Sequence, residues 1–311
     1  MIQRFTVENW KLRVVRYPIE DSYSFDGENK IIAVADGVTR DPTEYLPNIK
    51  TLSGKLQFAL NYPKPSPAKK AADIFTRIFP EVIRDFKERD EKAIKEAFIE
   101  ANRRIGKWND HNIKNVDYLV HDFAGCVASG TSEKSGFVHY GYLTDCGIAI
   151  FDENGNLRFR TEDEGPTKKD KYIWQDERLQ GIDWMNPEAR RIVRKNYRNN
   201  TIEKHSFGVL TGEESAISYV RIGTQEIKLN ENLIVYSDGL EEIIFSNEFA
   251  SKLRNKDFTG LRRLCENKVS TEGTLVRSIS LDPYQEMKAR AESNARMREM
   301  HEMYGKDMGY C

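Results

Sequence analysis

Apolar and polar positions change period several times along the chain, and each change marks an element. Ile31-Ile32-Ala33-Val34-Ala35 is a short apolar run closed by Asp36-Gly37. Its length and β-branched content predict a buried strand rather than a helix. Upstream, residues 2–6 and 11–17 read as strands, and Pro18 ends the second. Tyr23–Phe25, the turn Asp26-Gly27 and 31–35 make a hairpin that returns Asp36 to the end carrying Glu20. Residues 38–67 hold Pro42, Pro47, Pro63, Pro65 and Pro67 and read as an irregular loop. The period then becomes helical. Over 68–88, Ala71, Ile74, Phe75, Ile78, Phe79, Val82, Ile83 and Phe86 share one face, with a kink or break predicted at Pro80. Over 91–109, Ile94, Ala97, Phe98, Ala101, Ile105 and Trp108 do the same.

A second β block covers 124–129, 136–143, 147–151 and 156–160, with a hairpin turn at Asp152–Asn156 and an acidic turn at Thr144-Asp145-Cys146-Gly147. Residues 161–205 form a polar insert with Trp174, Trp184 and a helix near 187–198, and read as a flap over a site. Its run Arg190, Arg191, Arg194, Lys195 is read as a solvated helix face. A strand at 207–210 and a short helix at 211–220 follow. A hairpin of 224–228 with 232–236 then delivers Asp238, and helices at 246–255 and 259–267 precede a last strand at 274–279. This order lacks the alternation of a parallel βαβ fold. It predicts an α+β chain, a sandwich of antiparallel sheets with helices packed outside, in one domain over 1–280 and a charged tail at 281–311.

Composition narrows the function classes. The 311 residues are 39% hydrophobic and 31% charged, with a net charge of -1. That supports a packed core and gives no global attraction to nucleic acid or anionic membrane. The four cysteines show no metal or disulfide spacing, and no apolar run suits a signal peptide or membrane span. The expectation is a monomeric, cytoplasmic protein without nucleic-acid or membrane partners.

The candidate chemistry lies in repeated strand-end carboxylates. One Asp-Gly at a strand end is an ordinary turn. Here Asp36-Gly37 recurs as Asp238-Gly239 after Leu233–Tyr236, and Glu20-Asp21 sits just before the first hairpin. Several carboxylates with few histidines suit hard divalent cations such as magnesium or manganese. Arg16, four residues before Glu20, is suited to bidentate phosphate binding. Two cations about 3.5–4 Å apart activate water for in-line attack at phosphorus. No arginine follows Cys126 or Cys146 at the spacing of a thiolate phosphatase loop, and Ser53-Gly54-Lys55 lacks the upstream glycine of a P-loop.

In order, Arg16-x-x-x-Glu20-Asp21, Asp36-Gly37, Gly125-Cys126, Thr144-Asp145-Cys146-Gly147 and Ser237-Asp238-Gly239 resemble the metal-dependent serine/threonine phosphatases of type 2C, bacterial members in particular. The resemblance covers about residues 10–280. It implies a four-layer αββα sandwich and hydrolysis of phosphoserine or phosphothreonine on a phosphoprotein, without a phosphoenzyme. It implies catalytic roles for Arg16, Asp36 and Asp238, with Asp36 bridging two divalent cations and Arg16 on the substrate phosphate. Glu20, the Gly37 carbonyl and Asp238 would be further metal ligands, Asp21 would orient ligands or waters, and Asp145 would help hold a third cation. The family's aspartate before the last strand falls on Thr271, so Glu272 is expected to substitute as ligand. That departure keeps open a second reading, a binding module with the fold but without turnover.

Overall fold

The structure, a computed structural model, describes residues 2–14, 18–38, 51–119, 121–182, 186–280, 291 and 295–296. Strand β1 (Gln3–Glu8) and a short helix α1 (Trp10–Val14) precede the hairpin of β2 (Ser22–Asp26) and β3 (Ile31–Gly37). Helices α2 (Leu52–Asn61), α3 (Pro67–Asp85) and α4 (Glu91–Asn112) follow, then β4 (Cys126–Lys134), β5 (Phe137–Leu143), β6 (Gly147–Phe151) and β7 (Leu157–Arg160). The insert carries α5 (Pro166–Ile173) and α6 (Pro187–Asn196). Strands β8 (Arg221–Glu226) and β9 (Asn232–Tyr236), helices α7 (Glu241–Ile244), α8 (Asn247–Arg254) and α9 (Phe258–Lys268), and strand β10 (Glu272–Ile279) complete the described fold.

The strands form two five-stranded sheets, β1-β10-β9-β6-β7 and β2-β3-β4-β5-β8. Every pairing is antiparallel. Strand alternation sorts the apolar residues into layers. Ile32, Val34, Ile148, Leu233, Val235 and Val276 meet between the sheets. Ile31, Ala33 and Ala35 turn the other way, onto Phe75, Phe79 and Phe98 of α3 and α4. Ile234, Tyr236 and Leu275 face Phe249, Leu261 and Leu264 of α8 and α9. The expected four-layer αββα sandwich is therefore present, and β3 is a continuous apolar run because both of its faces are covered.

Several local expectations change. The segment read as a strand over 11–17 is helical over Trp10–Val14, while residues 15–17 lie outside the described residues. The loop expected over 38–67 contains α2, opened by the Thr51 hydroxyl accepting from the Gly54 N–H. Helix α3 continues through Pro80. Proline removes the N–H that would bond the Thr76 carbonyl, and the Ser24 hydroxyl of β2 supplies a donor instead, at 2.5 Å. Residues 207–210 make isolated bridges to Arg198 and Cys126 rather than a strand. Strands β8 and β9 do not form a hairpin. They belong to different sheets, because β8 pairs with β5 and β9 lies between β6 and β10. The insert packs Ile173, Leu179, Ala189 and Val193 against Val127, Cys146 and Val209 of the body. Among the described residues, no helix is long and apolar enough to cross a membrane.

Candidate metal centre

Alternation along β3 sends Asp36 to the same face as Ile32 and Val34, so its carboxylate emerges at the mouth between the sheets. β10 starts at that mouth and runs away from it, with Glu272, Thr274 and Val276 on its inner face. Carboxylate oxygens of Asp21, Asp36 and Glu272 all lie within 4.8 Å of one another. Asp238 opens the turn after β9, and Asp145 precedes β6 at the same end.

Close backbone approach fixes this geometry. A Cβ on Gly239 would lie 1.9 Å from the Glu272 carbonyl oxygen, so only glycine lets the Asp238 turn rest on the start of β10. A Cβ on Gly37 would come 2.6 Å from the Ala68 backbone, so only glycine lets the end of β3 touch the first turn of α3. Ser237 ties the parts together. Its hydroxyl donates to Asp21 at 2.8 Å and accepts the Thr274 N–H at 2.9 Å.

The structure places Glu20 and Asp21 differently from the expectation. The Glu20 carboxylate accepts from the Tyr62 hydroxyl at 3.0 Å and from the Ser66 hydroxyl. Its backbone N–H donates to both Glu272 oxygens, at 2.8 and 3.1 Å. Asp21, expected to stand behind the ligands, is the residue that joins Asp36 and Glu272. The cause is local: consecutive residues in extended chain point to opposite sides. Glu20 therefore faces the α2–α3 connection, while Asp21 faces the mouth. Thr271 is exposed, and Glu272 occupies the inward position. Arg16 lies outside the described residues.

Electrostatically the cluster is strained. Loss of water, then the charges of Asp21, Asp238, Glu272 and Asp145, hold the Asp36 carboxyl well above its ordinary pKa. Burial, followed by the charge of Asp21, pushes Glu272 up to about 9. Burial raises Asp21 to about 6 against the hydrogen bond from Ser237. Burial, Asp238 and Asp163 raise Asp145. Asp163, in the acidic run after β7, is a member of the cluster that the sequence reading missed. The available signal was its place beside a strand end. Cys146 is buried, and with these carboxylates around it its thiol titrates far above the usual range, which removes it as a nucleophile.

The donor set fits divalent cations. The Asp21 and Asp145 Oδ1 atoms are buried without a hydrogen-bond partner. No described lysine or arginine pairs with Asp21, Asp36, Asp145, Asp238 or Glu272. Carboxylates from separate chain segments that repel one another, with orphaned oxygens, are an all-oxygen site for hard ions.

Neither a family model nor any curated protein sequence matches the chain. Solved structures do. The catalytic domain of the serine/threonine phosphatase PstP, in complex with two manganese ions, matches at a TM-score of 0.56 and 14% identity, over 91% of this chain and 98% of that one. The S. agalactiae serine/threonine phosphatase gives 0.57 at 12% identity over 91% and 99%. The PPM phosphatase MsPP of Mycobacterium smegmatis, in complex with cacodylate, gives 0.51 at 15% over 90% and 98%. The fold is that of the PPM-type serine/threonine phosphatases. These similarities bear on the fold, and the resemblance carried by Glu20-Asp21, Asp36-Gly37 and Asp238-Gly239 agrees with it.

Proposed function

We propose that this chain is a metal-dependent protein phosphatase acting on phosphoserine or phosphothreonine monoesters of protein substrates. The observation that carries the reading is the convergence of Asp21, Asp36 and Glu272 at the mouth of a PPM-type sandwich. In this reading Asp36, Asp21, Glu272, Asp238 and the Gly37 carbonyl would hold two divalent cations. Asp145, with Asp163, would hold a third. Bound manganese or magnesium would supply an activated water and charge neutralisation at phosphorus. Asp238, the solvent-facing carboxylate, meets the incoming phosphate side. Glu20 fixes Glu272 through its N–H, and Ser237 fixes Asp21. Arg16 orients the phosphate as a bidentate donor.

The departure at Thr271 is what motivates the non-catalytic reading. Glu272 lying within reach of Asp21 and Asp36 supports the catalytic one instead. The test is hydrolysis of a phosphothreonine peptide with manganese, with and without chelator, beside Asp238→Ala. Turnover that disappears with chelator and falls about a hundredfold or more in the variant is expected from losing one metal-side carboxylate. A folded, manganese-loaded protein without turnover would refute the proposal.

A further inference from the structure

A groove of about 680 Å³ runs between strand β7 and helix α8, outside the carboxylate centre. One face of α8, from Asn247 to Arg254, forms one wall, and the β6–β7 hairpin forms the other with Phe151, Leu157 and Arg160. No carboxylate lines it among the described residues, in a chain of 49 acidic and 48 basic residues. The Arg160 guanidinium lies over the Phe245 ring, 5.0 Å from its centroid. The Arg254 Nε donates to the Asn154 carbonyl at 2.8 Å. Both arginines are exposed, and neither makes an ion pair among the described residues. Glu241 feels the charge of Arg160, and Asp152 that of Arg254, from outside the residues that line the groove.

Two further features give the groove a direction. Among the described residues β7 is an edge strand, paired only with β6, so its outer backbone groups can take an added extended chain. Arg160 also stands three residues before Asp163, whose charge acts on Asp145 and Asp238. That separation spans at most about 10 Å of chain. Arg254 lies at the far end, beside the hairpin tip. A segment whose phosphoresidue sits at the centre would therefore continue past Arg160 toward Arg254.

We propose that this groove docks an extended acidic segment of the phosphoprotein substrate next to its phosphoresidue, read by Arg160 and Arg254. The inference rests on the phosphatase reading and adds a substrate class to it. Complementary charge selects the occupant, and the aromatic and aliphatic walls accept its side-chain stems.

The test uses the full chain and a fluorescein-labelled, unphosphorylated peptide carrying a run of glutamates, beside its alanine counterpart. Anisotropy titrations of the wild type, Arg160→Glu, Arg254→Glu and the double variant run in parallel with hydrolysis of a small aryl phosphate. The glutamate peptide is expected to bind about fivefold or more tightly than the alanine peptide, with that preference lost in the double variant. Aryl phosphate turnover should not change. Equal binding of the two peptides, or an unchanged preference in the folded double variant, would overturn the proposal. Tighter binding after removal of residues 281–311 would make the chain's own tail the occupant and overturn the assignment to substrate. Peptide preference without any aryl phosphate turnover would refute the phosphatase reading while leaving the acidic-segment groove in place.

Discussion

A carboxylate one residue out of register serves a site only if strand alternation turns it inward. Thr271 occupies the position where the resemblance places an aspartate, yet it is exposed, and Glu272 shares the inner face of β10 with Thr274 and Val276. The extra methylene of glutamate then reaches Asp21 and Asp36. The resulting repulsion has a measurable sign. Folding raises the carboxyl of Glu272 from 4.5 to about 9 and that of Asp21 from 3.8 to about 6. The folded, metal-free state thus binds more protons than the unfolded state between those values, and stability falls as pH rises. From pH 5 to 8 the metal-free protein should lose up to about 1.4 kcal/mol per pH unit for each proton so held. Glu272→Gln should flatten the slope, and manganese should reverse it. Thermal melts across that pH range in chelator decide this, and a flat or rising melting temperature would contradict it. At this scale the sequence named carboxylates that meet at one end of the sandwich, and it did not say which way Glu20 and Asp21 turn. Glu20 and Asp21 are adjacent in sequence, and only the placement of Tyr62 and Ser66 shows which of the two faces the mouth.

Among the elements, local signals were read well wherever nothing distant competed with them. The β2–β3 hairpin and the Asp152–Asn156 turn lie where their turn residues place them. Pro80 does not break α3, and its missing N–H is compensated by a side chain of another element. Ser24→Ala should leave the Thr76 carbonyl without that donor and cost about 1–2 kcal/mol. In a Pro80→Ala background the helix supplies its own N–H, so the same change should cost less. Urea unfolding of the four proteins gives the coupling, and equal costs in both backgrounds would rule the account out. Sheet membership was less legible. Nothing in residues 221–236 tells β8 to leave β9 for β5, because either pairing buries the same alternating faces. The insert is held in a similarly non-local way, by Arg198 donating to Asp122 at 2.6 Å with both side chains buried. Arg198→Ala would remove that bond and leave Asp122 the more distant Arg194 guanidinium at 3.8 Å, at about 1.5–3 kcal/mol. Limited proteolysis should then cut first within 161–205. A protease pattern matching the wild type would show that the apolar contacts of Val193 and Leu179 hold the insert unaided.

For the whole molecule, the layer between the sheets draws residues from both of them and so joins the two outer layers, each of which packs on one sheet. β10 closes it by pairing with β1, from the start of the described chain, and with β9. The closure ends at Ser280, whose N–H donates to the Glu231 carbonyl at 3.1 Å and whose carbonyl accepts the Asn230 N–H at 2.7 Å. Residues 2–280 therefore contain every strand pairing described, and we propose that they are one cooperative unit to which 281–311 is dispensable for folding. Ending the chain after Ser280 should shift the melting temperature by no more than a few degrees and leave a single transition, since it removes no described ladder bond. Ending it after Leu275 should abolish folding, because it strips the Arg277–Ile279 pairings from β9 and the buried Arg277 bonds to Asn232. Calorimetry on both truncations separates the cases. Two transitions in the longer one, or a collapse of its stability, would place a second folding unit or a structural role in the tail. A single sharp transition in the shorter one would show that the sandwich closes without the end of β10.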